Sequence, residues 1–465
     1  MIPEISTVSP QVFEQWLRCN PTARLDGHYH SLIGPYFKSE HQRYIKNGQP
    51  LTMTLKRCKN DREIPTTSLT HVNYKISLFY CYVEIDKVNE QVVIQNELCK
   101  HLSLFGRIRV STEGLNGVLS GLETNLLLYQ QKTQTHLGLE VMDVKYCSLR
   151  IDLSVEAQLF TSLSIRKTKE VVTLFEPTTI DKIQCDNAIS KQFYRRRRRN
   201  RTKCEQRSEA PISFEQQSSS AAPQSAIRLD EFSPALHLKP QEWNQRLLSH
   251  HKDAIIVDAR NVYESRVGHF KVEGIPTLLT NTRKYTSLTE VLLQSKEHLA
   301  GKSVYMFCTG GVRCERASVY LQALSRSEEW NGLDAPKAIY QLEGGIQRYL
   351  ETFGSTGTEQ EECLYRGKNF VFDQRRTDPC TGNGIVGNCL ICCKLWDDYD
   401  NGNAPVDNTE GRCCKCRILL LVCNDCRSVV RSCGEQENGK TDLYCGIKDC
   451  FNEGNGVNQA EILME

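Results

Sequence analysis

From Lys75 the chain becomes rich in aromatic and β-branched residues, and the run KISLFYCYVEI reads as a strand. The following NEQVVIQNELCKHLSLFG carries apolar residues at helical spacing. RIRVSTEGLNGVLSGLETN then reads as two short strands joined through Gly114, Asn116 and Gly117. A second helix through LLLYQQKTQTHL and a strand at LEVMDVKYCS complete a split β-α-β arrangement, so residues 73–178 are expected to form a small ferredoxin-like α+β domain. Farther along, the amphipathic stretch beginning PQEWNQRLLSHH precedes the buried-type strand AIIVDAR. TSLTEVLLQSKEHLAG, KSVYMFC, ERASVYLQALSR, KAIYQLEGG and IQRYLETFG continue as helix, strand, helix, strand and helix. Strands alternating with helices over residues 233–358 specify a doubly wound parallel α/β sheet. In such sheets the reactive site lies beyond the carboxyl ends of the strands.

The rest of the chain has no such texture. Residues 1–72 mix aromatic and polar positions without a sustained period, and no role is assigned to them. Residues 179–232 combine a basic block with a Ser, Gln, Ala and Pro-rich stretch and read as a disordered linker. The basic run Arg195, Arg196, Arg197, Arg198 and Arg199, extended by Arg201 and Lys203, admits three readings: a contact to RNA, a nuclear address, or a solvated charge run that keeps a tether extended.

At about 150 residues per domain, 465 residues suggest about three domains, and 39% apolar with 25% charged is ordinary for a globular chain. No apolar run approaches the ~20 residues that span a bilayer, and the first twenty residues lack a basic stretch followed by an apolar one. No membrane partner and no export are therefore expected, which points to the cytoplasm, with the arginine run as a route into the nucleus. A net charge of +2 sets up no strong overall field, so a nucleic acid would have to be met locally.

Cysteine is the anomaly. The chain has 22, nine before residue 350 and thirteen between Cys363 and Cys450; without an export signal these point to metal ligation or thiol chemistry rather than disulfides. In the tail, residues 359–455, Cys389 and Cys392 (with Cys393), Cys413 and Cys414 with Cys416, and Cys423 and Cys426 form pairs with zinc-knuckle spacing. Cys433, Cys445 and Cys450 follow. The candidate ligands are Cys389, Cys392, Cys413, Cys414, Cys416, Cys423, Cys426 and Cys433, holding one or two structural zinc ions. With a single apolar run, ILLLVC, the tail has little core, and metal binding would supply most of its folding free energy. Nothing in the sequence signals an organic cofactor.

Cys308 is different. It ends the apolar strand SVYMF and is followed by Thr309, Gly310, Gly311 and Val312 before a helix that begins near Cys314. Backbone N–H groups freed by the two glycines, the positive end of the helix and the cation Arg313 would each lower a thiol pKa. The same donors would stabilise a persulfide or an oxyanion. Cys314 has two readings, a resolving thiol for a Cys308 persulfide or sulfenate, or a packing residue.

The segments IIVDARNVYESRVGHF, FCTGGVRCERAS and YQLEGGIQRYL resemble a rhodanese domain, whose loop Cys-x-x-Gly-x-Arg is matched by Cys308, Gly311 and Arg313. LFYCYVEI followed by GRIRVSTEGLNGVLSG is similar to the acylphosphatase-like domain that precedes it in one branch, the rhodanese-containing tRNA uridine hydroxylases. That resemblance covers residues 75–175 and 235–430. It implies an α/β rhodanese domain behind an acylphosphatase-like α+β domain, a persulfide-forming or otherwise catalytic Cys308, and tRNA as partner. It also implies oxygen-dependent 5-hydroxylation of uridine 34, or else transfer of sulfur between a donor and an acceptor thiol. A third reading is a zinc-stabilised scaffold without catalysis, against which the intact loop argues. Asp258 and Arg260 fall where rhodaneses tie the active loop in place. Glu343, Gly344 and Gly345 are expected to form a turn beside the pocket. Glu113, Gly114, Asn116 and Gly117 reproduce the family's EG(I/L)NG turn, read first as turn chemistry and second as an RNA contact. His269 reads as a packed side chain. After Gly268-His269-Phe270 the segment KVEGIPTLLTNTRKYTSL departs from the usual pattern, so that wall of the pocket is expected to differ.

Overall fold

A computed structural model describes residues 73–175, 232–249, 253–353, 363–378, 384–399, 411–413, 415–428, 443, 445, 450 and 461–463. Residues 1–72, the arginine run Arg195–Arg199 and the linker around it, and Cys414 and Cys433 lie outside them. The chain divides into two compact units, of which the smaller one described here is the Cys-rich stretch from Gly387 to Cys445.

In the larger unit, strands β1 (Tyr74–Tyr82), β2 (Phe105–Ser111), β3 (Gly114–Leu122), β4 (Val144–Ser148) and β5 (Leu163–Lys167) form one sheet in the order β4-β1-β3-β2-β5. All pairings are antiparallel except β2 with β5. Helices α1 (Val88–His101) and α2 (Glu123–Leu137) cross over between strands, giving the expected acylphosphatase-like α+β domain. The core follows the two periods: Phe79, Ile108, Val110, Leu115 and Leu119 from the strands meet Cys99, Leu126 and Tyr129 from the helices.

The second sheet contains β6 (Leu236–Leu238), β7 (Ala254–Asp258), β9 (Thr277–Leu279), β10 (Ser303–Phe307) and β11 (Ala338–Leu342), in the order β9-β7-β10-β11-β6. These five are parallel, and β15 (Glu461–Leu463) pairs antiparallel on the β9 edge. The strands are near-continuous apolar runs because helices cover both faces. Among the latter are α4 (Pro240–Ser249), α6 (Leu288–Gln294), α7 (Lys296–Leu299), α8 (Val312–Leu324) and α9 (Gly345–Phe353); a four-residue turn of helix, α5 (Val262–Ser265), follows β7. On one side Val304, Met306, Ala317, Leu321 and Leu324 pack together, and on the other Trp243, Phe270, Phe307 and Tyr349. Truncating Met306, with no exposed surface, to Ala would cost about 2–5 kcal/mol.

After β8 (Gly268–Phe270), the segment that departs from the usual pattern forms β9 and a 3-10 turn at Tyr285–Ser287. Strand β12 (Tyr365–Gly367) pairs antiparallel with β8, and β13 (Asn369–Phe370) with β14 (Thr377–Asp378). The stretch 363–378 therefore packs beside this sheet. No helix among the described residues is long and apolar enough to cross a membrane.

In the Cys-rich unit the chain makes two similar turns. Cys389 N–H donates to Lys394 O (2.8 Å) and Cys413 N–H to Ile418 O (2.9 Å), each turn closed by a residue at positive φ, Cys393 at 58° and Arg417 at 65°. Leu420, Leu421, Val422 and Tyr399 are among its buried apolar residues.

Candidate active site and cysteine clusters

Strand β10 delivers Cys308 to the carboxyl edge of the second sheet, where the chain turns through Gly310 and Gly311 into α8. Gly311 stands before the helix at φ 94°, a backbone region costly for residues with a Cβ. That turn aims its N–H at Cys308 Sγ, 3.2 Å away. From the other side, the first turn of α9 holds the loop: Ile346 N–H donates to Cys308 O and Gln347 N–H to Thr309 O, both 3.0 Å. These are helix-terminal donors with no partner of their own in the helix. Gly345 must be glycine here, because a Cβ at its φ of 66° would lie 2.4 Å from Cys308 O and 2.7 Å from Gly311 N.

Burial alone would push the Cys308 thiol up, yet it is held at about 5 by a hydrogen bond from Cys314, the charge of Arg313, and the N–H groups of Arg313 and Cys314. Cys314 is displaced the opposite way, first by burial and then by its contact with Cys308. Of the two thiols, one is therefore an anion at neutral pH and the other a proton donor to it. Both are fully buried, as are Thr309 and Arg313 very nearly.

Arg313 owes its position to Glu264, which accepts two hydrogen bonds from the guanidinium (2.7 and 2.5 Å) and one from Thr309 Oγ1 (2.9 Å). Glu264 also accepts from the N–H of Asn261 (3.1 Å), the capping box of α5. The sequence reading missed Glu264. Its signal was the Asn-x-x-Glu spacing in NVYES. Tyr285 adds a further tie, donating to Arg313 O at 2.5 Å.

Asp258 and Arg260 form a fully buried bidentate pair (2.8 and 2.6 Å). Arg260 also donates to Gly268 O (2.6 Å) and Tyr365 Oη (3.3 Å), which ties the pair to the β8–β12 side. His269 is packed, with Nδ1 3.1 Å from Ser265 O. Gly344 and Gly345 both take positive φ and make the turn from β11 into α9.

The acylphosphatase-like domain lies against the Cys308 loop. A Cβ on Gly310 would meet Leu78 at 3.0 Å, and one on Gly311 would meet Tyr80 Oη at 3.0 Å. Tyr80 donates to Glu315 (3.3 Å) and Lys145 to Gly310 O (3.2 Å). Glu113 of the EGLNG turn is buried and paired with Arg316, which also donates to Glu170 at 3.0 Å; Asn116 donates to Val171 O at 3.3 Å. The turn thus fastens this domain to α8.

In the tail, the sulfurs of Cys389, Cys392, Cys423 and Cys426 lie within 4.8 Å of one another, and Cys413, Cys416 and Cys445 group likewise with Cys450. Four thiolates around a metal at ~2.3 Å would stand ~3.8 Å apart, which the chemistry of these sets fits. Cys392 and Cys423 are 3.6 Å apart and Cys416 and Cys445 3.7 Å. Of the ligands expected from spacing, six fall in these sets, and Cys445 and Cys450 join them.

The site is thus a cysteine at the end of the central strand of an α/β sheet, cradled by a Gly-Gly turn and a buried arginine, with an acylphosphatase-like domain packed against it. Residues 74–171 match the family model described as UPF0176 acylphosphatase like domain. The chain is 33% identical over 393 residues to Rhodanese-like domain-containing protein 6 of Arabidopsis thaliana, covering 83% of this chain and 57% of that relative. It thus spans little more than half of the plant protein. It is 25% identical over 386 residues to the tRNA uridine(34) hydroxylase of Corynebacterium aurimucosum, covering 81% of this chain and 96% of that relative. A solved Saccharomyces cerevisiae homolog of single-domain rhodanese and the Cdc25 phosphatase catalytic domain is 19% identical, with 26% of this chain and 82% of that chain covered and a TM-score of 0.20.

Proposed function

We propose that this chain is a cysteine-dependent rhodanese-family enzyme that hydroxylates the wobble uridine, position 34, of tRNA at C5, with molecular oxygen as the oxidant. The observation that carries the proposal is the Cys308 sulfur at the carboxyl end of β10, receiving the Gly311 N–H at 3.2 Å at the start of the helix that carries Arg313 and Cys314. The substrate comes from the relatives named tRNA uridine(34) hydroxylase, one of which aligns over 96% of its own length. Cys308 is the reacting group, Arg313 holds its charge, and the N–H groups of Gly311, Arg313 and Cys314 cradle an anion formed there. Cys314, already donating to Cys308, is placed to attack the Cys308 sulfur of a persulfide or sulfenate, forming a disulfide and releasing hydrosulfide or water respectively.

The anion cradle also favours a second reading, in which Cys308 carries sulfane sulfur from a donor to an acceptor thiol. Structural zinc in the two cysteine sets would stabilise the tail, because a four-thiolate site leaves no position open for substrate. The arginine run Arg195–Arg199 is a local source of phosphate contacts. The cytoplasm is the expected site of action.

Nucleoside mass spectrometry of tRNA from cells that express only wild type or only Cys308→Ala separates the two readings. Loss of the hydroxylated wobble uridine in the variant supports hydroxylation. Unchanged tRNA together with lost thiosulfate-to-cyanide transfer would replace it with sulfur transfer.

A further inference from the structure

Lys145 sits at an inward position of β4 with no exposed surface, where the strand's alternation calls for an apolar side chain. Lysine is almost never fully buried unless its charge is matched. Asp143 stands 2.5 Å from its ammonium, the Tyr80 ring 4.8 Å, and Gly310 O accepts from it at 3.2 Å. Asp143 is shared with Arg348 of α9 (2.7 Å), the same helix whose first turn holds the carbonyls of Cys308 and Thr309. The acylphosphatase-like domain thus delivers a charge to the middle of the reactive loop.

Packing alone would be served by Met or Leu at this place, at no desolvation cost. The ammonium does something an apolar side chain cannot: it fixes the Gly310 carbonyl and so the turn that aims the Gly311 N–H at the sulfur. It also adds positive potential to a low-dielectric loop that carries an anion. Resting on the reading of Cys308 as the reacting thiol, we propose that Lys145 is a positioning residue for Cys308, holding the loop and favouring the anionic sulfur from the neighbouring domain.

The groups facing Cys308 are Arg313 and Cys314 from α8, Tyr285 from the 3-10 turn, and Lys145 from β4. Those facing Lys145 are Asp143, Arg348, Glu351 and Cys308. Burial drives the lysine pKa down, while Asp143 and Cys308 oppose that shift. The coupling between Lys145 and Cys308 is reciprocal.

The test is the pH dependence of Cys308 alkylation by iodoacetamide in the full-length protein, read on the Cys308 peptide by mass spectrometry. Wild type is compared with Lys145→Met, Lys145→Gln and Lys145→Arg, each checked for folding by circular dichroism. The wild-type midpoint is expected near 5. Removing the charge should raise it by about one unit, a tenfold loss of labelling rate on the acid side, and Arg should restore part of it. A folded Lys145→Met or Lys145→Gln protein with the wild-type midpoint overturns the role of Lys145 and leaves Cys308 untouched. A wild-type Cys308 that labels with a midpoint at the ordinary thiol value overturns the assignment of the thiol, and this proposal with it. Should both charge-removing variants unfold, the ε-carbon shift of 13C-labelled lysine is followed in wild type and Cys308→Ser. The Lys145 titration should fall to lower pH without the anion, and an unmoved titration overturns the proposal.

Discussion

Replacing Glu264 by Gln keeps the shape of a side chain with no exposed surface and removes its charge. Arg313 would then be a buried guanidinium without the carboxylate that receives it at 2.7 and 2.5 Å, and Thr309 and the α5 cap would keep weaker partners. Removing one member of a buried, hydrogen-bonded ion pair costs about 3–5 kcal/mol. At ~2–4 °C per kcal/mol for folds of this size, that is a fall of roughly 6–20 °C in Tm. Arg313→Met should cost a similar amount. The double variant, which leaves no orphaned charge, should lose clearly less than the two singles added together. The assay is thermal unfolding of the full chain by near-ultraviolet circular dichroism. Acid adds a second signature. Burial tends to raise the Glu264 pKa, but Arg313 outweighs it and holds the carboxyl below its ordinary value. A depressed folded pKa contributes stability above the unfolded value, lost as pH falls through the folded one. Wild type should therefore lose this increment in acid, and Glu264→Gln should have none to lose. A Glu264→Gln protein within ~2 °C of wild type, or strictly additive losses, would refute the argument.

Cys314→Ala removes the thiol that donates to the Cys308 anion, so the alkylation midpoint of Cys308 should climb from about 5 by about one unit; an unmoved midpoint removes Cys314 from the site. Gly345→Ala places a Cβ 2.4 Å from Cys308 O at a φ of 66°, which should destabilise the fold by more than about 1 kcal/mol and slow Cys308 labelling, both measurable on one sample. Cys389→Ser and Cys423→Ser should each lower the bound metal by about one equivalent in elemental analysis and open the Cys-rich unit to limited proteolysis; full metal content in both contradicts the four-sulfur site.

Both layer types could be read from the sequence, because each segment's local preference agrees with its place in the fold. The aromatic run that became β1 and the apolar run that became β10 carry strong period signals, and two glycines after Cys308 mark a turn whatever packs around it. Short edge elements were less legible: β6, β12 and β15 have three residues of ladder each and exist because a neighbouring strand offers hydrogen bonds. The site divides the same way. Cys308, Gly311 and Arg313 are contiguous and visible, whereas Glu264 reaches Arg313 across 49 positions and Lys145 reaches Gly310 across 165. No local pattern encodes such a meeting, which depends on how a sheet and a second domain pack. The EGLNG turn shows the limit of motif reading, since its glutamate turned out to grip Arg316 of α8.

In the proposed reaction the Cys308 sulfur acts on the wobble uridine of tRNA. Quantifying hydroxylated uridine at position 34 in tRNA from cells lacking this protein, resupplied with wild type or Cys308→Ala, tests it most directly. Wild type should restore the modification, and Cys308→Ala, expressed and folded to the same level, should not. Equal restoration by both would contradict it.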